Sequence, residues 1–474
     1  MTLETRQRLK YIAADFVSTN IALAIFNIVR YYDLPLAYTN FNTLGAFLTS
    51  TMPVLGQILF PLGMMFLYYL SGFYNNVFVK SRTQEFSVTF ITALLGTVSL
   101  IFLALLNDLT NDRARDYSLF LWLFLLLFGL VYVPRLIITW RTIRKIWSGR
   151  ISFPSVVVGY SSAPGLFGHQ LKRISRATGM KVTAYIDADN RAASLTGMPV
   201  PVHDLKDIKE LCASERVDNI IVIPHPEGWN HTLEVINRLF PVEKPVYMGA
   251  DSLPSFMFRT HLLTITSQPL IDISSSHLSA STLNIKRVFD VTLASLAAIV
   301  TAVPVLALAV AVRLTSKGPA FYVQQRVGRH GRLFNMVKLR TMVADAEADG
   351  VPALSSDGDC RITPLGRFLR KYRLDELPQL YNVIRGDMSI VGPRPERPYF
   401  AEQLMEREPS YALLRSLRPG VTSLGMVNYG YASSVDQMME RMRYDLLYLE
   451  NISLVTDLKV IIHTVHTVFS GKGV

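Results

Sequence analysis

The chain has 474 residues, half of them hydrophobic, and a formal net charge of +11; its mean hydropathy is +0.26. That value is high for a soluble protein and low for a pure membrane bundle, so part of the chain belongs in lipid and part in water. The positive charge suits anionic lipid or a phosphorylated substrate. Nucleic acid is disfavoured, because the basic residues sit beside apolar segments and no aromatic-interleaved basic repeat occurs. Cys212 and Cys360 are far apart, which excludes a disulfide framework and a cysteine-based metal site.

Four apolar stretches, Tyr11–Val29, Met52–Tyr74, Phe86–Leu106 and Tyr117–Trp140, each approach the roughly 20 residues that a bilayer core requires. The first runs past Val29 without a small-residue cleavage site, so it reads as a span and not a cleaved signal. Asp15 is its one charge and is expected near the membrane surface. Basic residues cluster in the N-terminal tail (Arg6, Arg8, Lys10), the second loop (Lys80, Arg82) and after the fourth span (Arg141, Arg144, Lys145, Arg150). The first loop is nearly free of them after Arg30, which places both ends of the bundle in the cytoplasm. Residues 1–150 are thus expected to be a four-helix transmembrane domain.

Residues 151–250 change pattern. PSVVVGY, KVTAYID and DNIIVIP read as buried strands, and GLFGHQLKRI, DIKELCASE and HTLEVINRLF as helices. Strand–helix alternation predicts a parallel, Rossmann-like α/β domain. After the first strand, Gly159-Tyr-Ser-Ser-Ala-Pro-Gly165 lacks the glycine spacing that admits a pyrophosphate, so a nucleotide pocket and a purely structural module both remain open. Residues 251–284, Ser- and Thr-rich towards their end, read as a connector.

Val288–Val312 is apolar enough to span. However, Lys286 and Arg287 precede it, Arg313 and Lys317 follow it, and crossing would export a strongly basic C-terminal region. Pro304 removes a helix hydrogen bond near its middle. A re-entrant helix–break–helix at Pro304 satisfies both facts, with Thr301 available to meet freed carbonyls; an ordinary fifth span is the alternative.

The chemistry concentrates in RKYRLDELPQLYNVIRGDMSIVGPRP, Arg370 to Pro395. Arg367, Arg370 and Lys371 share a helical face, and Lys338 and Arg340 share a strand face. Asp375 and Glu376 are adjacent, so on a helix their side chains diverge by about 100° and do not share a proton. One can attack while the other holds a metal or a proton. A carboxylate attacking phosphorus needs its target's charge neutralised, which Mg²⁺ and basic residues provide. Pro393 and Pro395 fix the backbone of Arg394 for phosphate contact.

KRVFDV (Lys286–Val291), QQRVG (Gln324–Gly328), LFNMVKLRTM, RITPLGRFLRKYRLDELPQLYNVIRGDMSIVGPRP and RPGVT (Arg418–Thr422) resemble the bacterial sugar transferases that act on polyprenyl phosphate, the monotopic phosphoglycosyl transferases. The helices and α/β domain ahead of them resemble the long form, typified by undecaprenyl-phosphate glucose or galactose phosphotransferases. The resemblance implies a C-terminal α/β catalytic domain over 285–474 with a re-entrant membrane helix, at the inner membrane and facing the cytoplasm. It implies sugar-phosphate transfer from a UDP-sugar to undecaprenyl phosphate with release of UMP, by a ping-pong route. Asp375 would be the nucleophile, Glu376 its helper, and both Mg²⁺ ligands. Lys338, Arg370, Arg394 and Arg418 would hold substrate phosphates, and a homodimer is left open. After RPGVT the chain departs from the family's Gly-Trp-x-Gln and later Gly-Arg. It reads SLGMVNYGYAS, with Ser423, Leu424 and Met426 in place of Gly, Trp and Gln and no arginine until Arg441. A membrane-anchored nucleotide sensor and a non-catalytic polysaccharide assembly factor are the rival readings.

Overall fold

The computed structural model describes residues 2–33, 41–75, 77–78, 80, 82–102, 113–160, 179–192, 199–214, 216–225, 229–249, 270–272, 279–343, 346 and 359–469. These fall into two compact units. One is built on the N-terminal helices with Ser279–Ile285, and the other on the chain from Phe153 together with Lys286–Val474.

The first unit contains α1 (Leu3–Asp33), α2 (Leu44–Leu48), α3 (Thr51–Leu70), α4 (Arg82–Leu100) and α5 (Arg113–Trp147). By length and composition, α1, α3 and α5 can each cross a membrane. The third expected span coincides with α4 as far as Leu100; residues 103–106 lie outside the described residues. Asp15 does not meet solvent. It is fully buried and accepts two hydrogen bonds from Arg135, Nε to Oδ1 at 2.7 Å and Nη2 to Oδ2 at 2.7 Å. Arg135 also donates to Thr89 Oγ1 at 2.8 Å, and Tyr74 donates to Asp15 Oδ2 at 2.9 Å. The guanidinium lies 3.7 Å from the Phe73 ring centre and 4.2 Å from that of Tyr68. A charge removed from water requires a partner of opposite sign, and α5 supplies one to α1 from within its own apolar run.

In the second unit, a six-stranded sheet has the order β3-β2-β1-β4-β5-β6. Its strands are β1 (Phe153–Gly159), β2 (Met180–Asp187), β3 (Val202–Asp204), β4 (Asn219–Val222), β5 (Val246–Gly249) and β6 (Leu270–Asp272). The first five are parallel and β6 is antiparallel to β5. Helices α6 (Ile208–Ser214) and α7 (Trp229–Leu239) come after β3 and β4. The predicted helix GLFGHQLKRI lies outside the described residues. The expected connector is not wholly a linker: Leu270–Asp272 extends the sheet at its edge, and the next helix begins at Ala280.

Helix α8 (Ala280–Thr315) is the fourth segment apolar enough to cross a membrane. The expected break at Pro304 is absent, since the chain is helical throughout this span. Without water, unwound backbone has nothing to pair with, so both sides of the proline stay helical. Thr301 does not meet a carbonyl freed by Pro304; its hydroxyl donates to Ala297 O at 2.7 Å. Two stretches of α8 pack on the C-terminal domain. Ala294 packs with Met336, Val383 and Met388, and Ala309 and Val312 pack with Leu339 and Leu369. Between them Ile299, Val300 and Val303 are about three-quarters exposed (75–76%).

The root of α8 is ionic. Lys286 Nζ is 2.7 Å from Asp457 Oδ2, Tyr448 donates to Asp457 Oδ1 at 2.6 Å, and Asp290 Oδ2 accepts from Ser389 Oγ at 2.6 Å. Arg287 donates to the Val383 carbonyl at 2.8 Å and to that of Ile384 at 3.1 Å. Lys286 and Arg287, read from sequence as membrane-flanking charges, are therefore engaged in holding the domain together.

That domain comprises the antiparallel hairpin β7 (Phe321–Val327) and β8 (Leu333–Leu339), then α9 (Pro364–Lys371), α10 (Gln379–Arg385), β9 (Ser389–Val391), α11 (Pro398–Arg407), α12 (Tyr411–Leu414), β10 (Gly420–Thr422), α13 (Leu424–Asn428), α14 (Val435–Glu450) and α15 (Leu454–Phe469). β9 and β10 pair in parallel. Gly392 and Gly420 approach so closely that a Cβ on Gly420 would lie 2.2 Å from Gly392 N.

Replacing Asp15 with Ala leaves Arg135 buried and unpaired, a loss of roughly 3–5 kcal/mol. Asp15→Ala should lower the thermal midpoint in detergent more than the double replacement Asp15→Leu/Arg135→Met does.

Candidate active site

Strand β8 delivers Lys338 and α9 delivers Arg370. Thr363 caps α9 by accepting from Gly366 N at 2.9 Å. Gly366 lets the helix press onto Thr341, where a Cβ would come 2.0 Å from the Thr341 carbonyl oxygen. That approach allows Arg370 Nε to donate to Thr341 Oγ1 at 2.9 Å. Arg367 and Lys371, expected on the same face, are exposed. The chain then reverses through Arg373, at φ +54°, into a single 3₁₀ turn over Leu374–Glu376. Asp375 and Glu376 therefore diverge by about 120°, not the 100° of an α-helix. Asn382 of α10 sews this turn's neighbour to β8, accepting from Val337 N at 3.1 Å and donating to Asn335 O at 2.8 Å.

Lys338, Arg370, Asp375, Glu376 and Arg394 line one cavity of about 310 Å³, together with Arg373, Tyr431 and Arg441. Arg418 does not line it; its Nε donates to the Gly386 carbonyl at 3.0 Å. Pro304 is exposed on the apolar middle of α8 and belongs to the membrane helix, not to the cavity.

The two carboxylates have opposite environments. Glu376 Oε1 lies 2.9 Å from Lys338 Nζ, 3.5 Å from Arg373 Nη1 and 3.8 Å from Arg394 Nη2. Burial raises the pKa of Glu376, but Lys338, Arg373 and Arg394 outweigh it and hold the carboxyl well below the usual carboxylate range. Asp375 is equally buried, and among the described residues its Oδ1 has no hydrogen-bond partner. Burial first, and the adjacent Glu376 second, push its pKa up to about 6. Other cations around the cavity are committed elsewhere: Arg361 to Asp359 at 2.6 Å, Arg441 to Glu396, and Arg326 to the Pro395 carbonyl at 3.0 Å. This last bond braces the Gly392–Pro395 turn from the hairpin.

Sequence alone assigns no site role to Arg373, Arg326 or Tyr431. Arg373 stands two residues before the carboxylate pair, but its left-handed backbone, which turns it towards Glu376, has no local signature. Arg441, the first arginine after the altered segment, reaches the cavity wall with its charge already met by Glu396.

The family model described as bacterial sugar transferase matches residues 281–471. A UDP-glucose:undecaprenyl-phosphate glucose-1-phosphate transferase from Caulobacter vibrioides is 42% identical over 182 residues, 38% of this chain and 68% of the relative. The chain belongs to the bacterial sugar transferase family. A UDP-N-acetylgalactosamine-undecaprenyl-phosphate N-acetylgalactosaminephosphotransferase from Aeromonas hydrophila is 38% identical over 189 residues, 40% of this chain and 44% of the relative. An undecaprenyl-phosphate galactose phosphotransferase from Salmonella typhimurium is 29% identical over 382 residues, 76% of each chain. This sugar transferase thus spans about half the length of several relatives that it matches, 44% in the Aeromonas protein and 56% in a Klebsiella pneumoniae UDP-glucose:undecaprenyl-phosphate glucose-1-phosphate transferase. Among solved structures, that of RSP, a Rex-family repressor, aligns over 37% of this chain and 85% of that one at TM-score 0.21 and 14% identity, which is too distant to bear on the sugar transferase's fold or function.

In this sugar transferase the folded state keeps the Asp375 proton to higher pH than an unfolded chain does, so the group costs stability as pH rises from about 4 to about 6. Asp375→Asn should be more stable than the parent at pH 7.5, by about 3 kcal/mol, and so unfold at a higher temperature. The advantage should vanish at pH 4, as read by thermal unfolding in detergent.

Proposed function

We propose that this sugar transferase moves sugar 1-phosphate from a UDP-sugar to undecaprenyl phosphate, releasing UMP and initiating a surface polysaccharide or glycoconjugate. The observation that carries the proposal is Asp375: a buried carboxylate with one unpaired oxygen, in a cavity ringed by Lys338, Arg370, Arg373 and Arg394. In the first half-reaction an Asp375 oxygen attacks the phosphorus that carries the sugar, and the bond to UMP breaks. In the second, an oxygen of undecaprenyl phosphate attacks the same phosphorus and releases the carboxylate. Arg370 and Arg394 draw the diphosphate into the cavity and oppose its charge as the leaving group departs. Glu376, held ionised by its cations, keeps those cations aligned beside the nucleophile.

Among the described residues no group of three or more His, Cys, Asp or Glu could hold a metal ion by itself. A hard oxygen on Asp375 plus substrate phosphates is nonetheless a donor set that suits Mg²⁺, which is ordinarily held by one or two carboxylates and the substrate. Asp375 would hold the ion, with Glu376 beside it. A bound Mg²⁺ would neutralise diphosphate charge.

The placement of α8 supports a site at one membrane face. Two stretches of it, at Ala294 and at Ala309–Val312, pack on the domain that carries the cavity, while Ile299, Val300 and Val303 between them are exposed, which keeps the cavity beside the apolar surface of the helix. We place that domain on the cytoplasmic side of a bacterial inner membrane, where a nucleotide sugar arrives from water and a lipid phosphate from the headgroup layer.

Purified protein with UDP-sugars, Mg²⁺ and undecaprenyl phosphate should release UMP. Asp375→Asn should lose at least about 10³-fold in rate, in keeping with removal of a nucleophile. Activity surviving Asp375→Asn removes the nucleophile assignment, and activity indifferent to chelation removes the metal. A cysteine placed after Lys317 should resist an external, membrane-impermeant reagent in intact cells; labelling there refutes the cytoplasmic placement of the domain.

A further inference from the structure

The segment after Arg418 departs from the family pattern, and the structure gives that departure a location. Gly430, at φ +93°, turns the chain after α13 so that Tyr431 lines the cavity. The Tyr431 ring centre is 5.8 Å from the guanidinium carbon of Arg373 and 5.5 Å from that of Arg394. These distances lie within cation–π range. Arg394 Nη1 is in addition 2.8 Å from Met426 Sδ. Met426 and Tyr431 both belong to SLGMVNYGYAS, so the altered segment supplies two neighbours to the arginine of the Gly392–Pro395 turn.

The same two guanidiniums also pair with Glu376, but at longer range than Lys338. Lys338 makes a tight pair at 2.9 Å, while Arg373 stays at 3.5 Å and Arg394 at 3.8 Å. In a site shielded from water, an arginine free to move would collapse onto a buried carboxylate and spend its charge there. Some opposing contact must hold the two arginines back, and Tyr431 touches both.

We propose that Tyr431, assisted by Met426, is a positioning residue that holds Arg373 and Arg394 back from a closer pairing with Glu376 and so presents them to the diphosphate of the nucleotide sugar. The role rests on the cavity being the nucleotide-sugar site. An aromatic ring and a thioether here do the work of aiming two cations, in a chain without the family's Gly-Arg. Their effect falls on substrate affinity more than on the chemical step.

A double-mutant cycle on the full-length protein tests this, with UDP as the probe and calorimetry in detergent as the readout. Tyr431→Ala should weaken UDP about tenfold, whereas Tyr431→Phe, which keeps the ring, should stay within about threefold. With Glu376→Gln in place the arginines no longer have a carboxylate to collapse onto, so adding Tyr431→Ala should change affinity less than twofold. In turnover, Tyr431→Ala should raise KM for the UDP-sugar and leave kcat within about threefold. An equal loss of affinity in both backgrounds overturns the positioning role and makes Tyr431 a plain structural or contact residue. An unchanged affinity in Tyr431→Ala also overturns it. Failure of the parent protein to bind UDP overturns the reading of the cavity itself. Matching thermal midpoints for Tyr431→Phe and the parent separate these outcomes from misfolding.

Discussion

Burying two neighbouring carboxylates is prohibitively costly unless cations accompany them, and around Asp375 and Glu376 the cations are shared unequally. Three of them converge on a single oxygen of Glu376, which stays ionised as a result. Asp375 receives their field only at a distance and keeps an unpaired oxygen. The two roles thus stem from position within one 3₁₀ turn. The residue aimed at the hairpin is neutralised by Lys338; the other is left under-compensated, basic and facing the cavity. Everything that fixes the turn serves this asymmetry: the left-handed backbone of Arg373, the press of Gly366 onto Thr341, and the seam that Asn382 makes with β8.

The same domain carries the membrane helix. Lys286, Arg287 and Asp290 make contacts with α15, α10 and β9 at the base of α8, while Arg340 donates to the Lys317 and Ser316 carbonyls near its other end, at 2.6 and 2.8 Å. Arg340 directly succeeds the strand that supplies Lys338. The cation nearest the carboxylates is therefore two residues from a group that grips the end of the membrane helix, so the height of the site relative to lipid is set by very short covalent paths.

Much of this is legible in the sequence. The apolar runs mark the long helices, strand–helix alternation marks the parallel sheet, and the carboxylate pair behind a basic run marks the cavity. The features that are not legible depend on partners distant in sequence. Asp15 looks like an interfacial charge until Arg135, 120 residues later, is brought beside it. Lys286 and Arg287 look like membrane flanks because nothing local announces Asp457 or the carbonyls of α10. Arg418 is expected as a phosphate ligand from the family resemblance of its motif, yet its guanidinium is turned onto a backbone carbonyl. Pro304 suggests a break because proline breaks helices in water, where freed carbonyls have an alternative. The turn at Gly430 carries a glycine that can be read, but no local rule indicates that Tyr431 would face two arginines.

The Lys286–Asp457 pair also has a meaning in time. Its members are 171 residues apart, an interval that takes roughly 10–35 s to synthesise at ordinary translation rates. Throughout that interval α8 has been made while its root lacks Asp457, and Lys286 has only the nearby Asp290 to balance it. The root of α8 therefore closes only after α15 has been made, and which residue waits for which is set by their order along the chain.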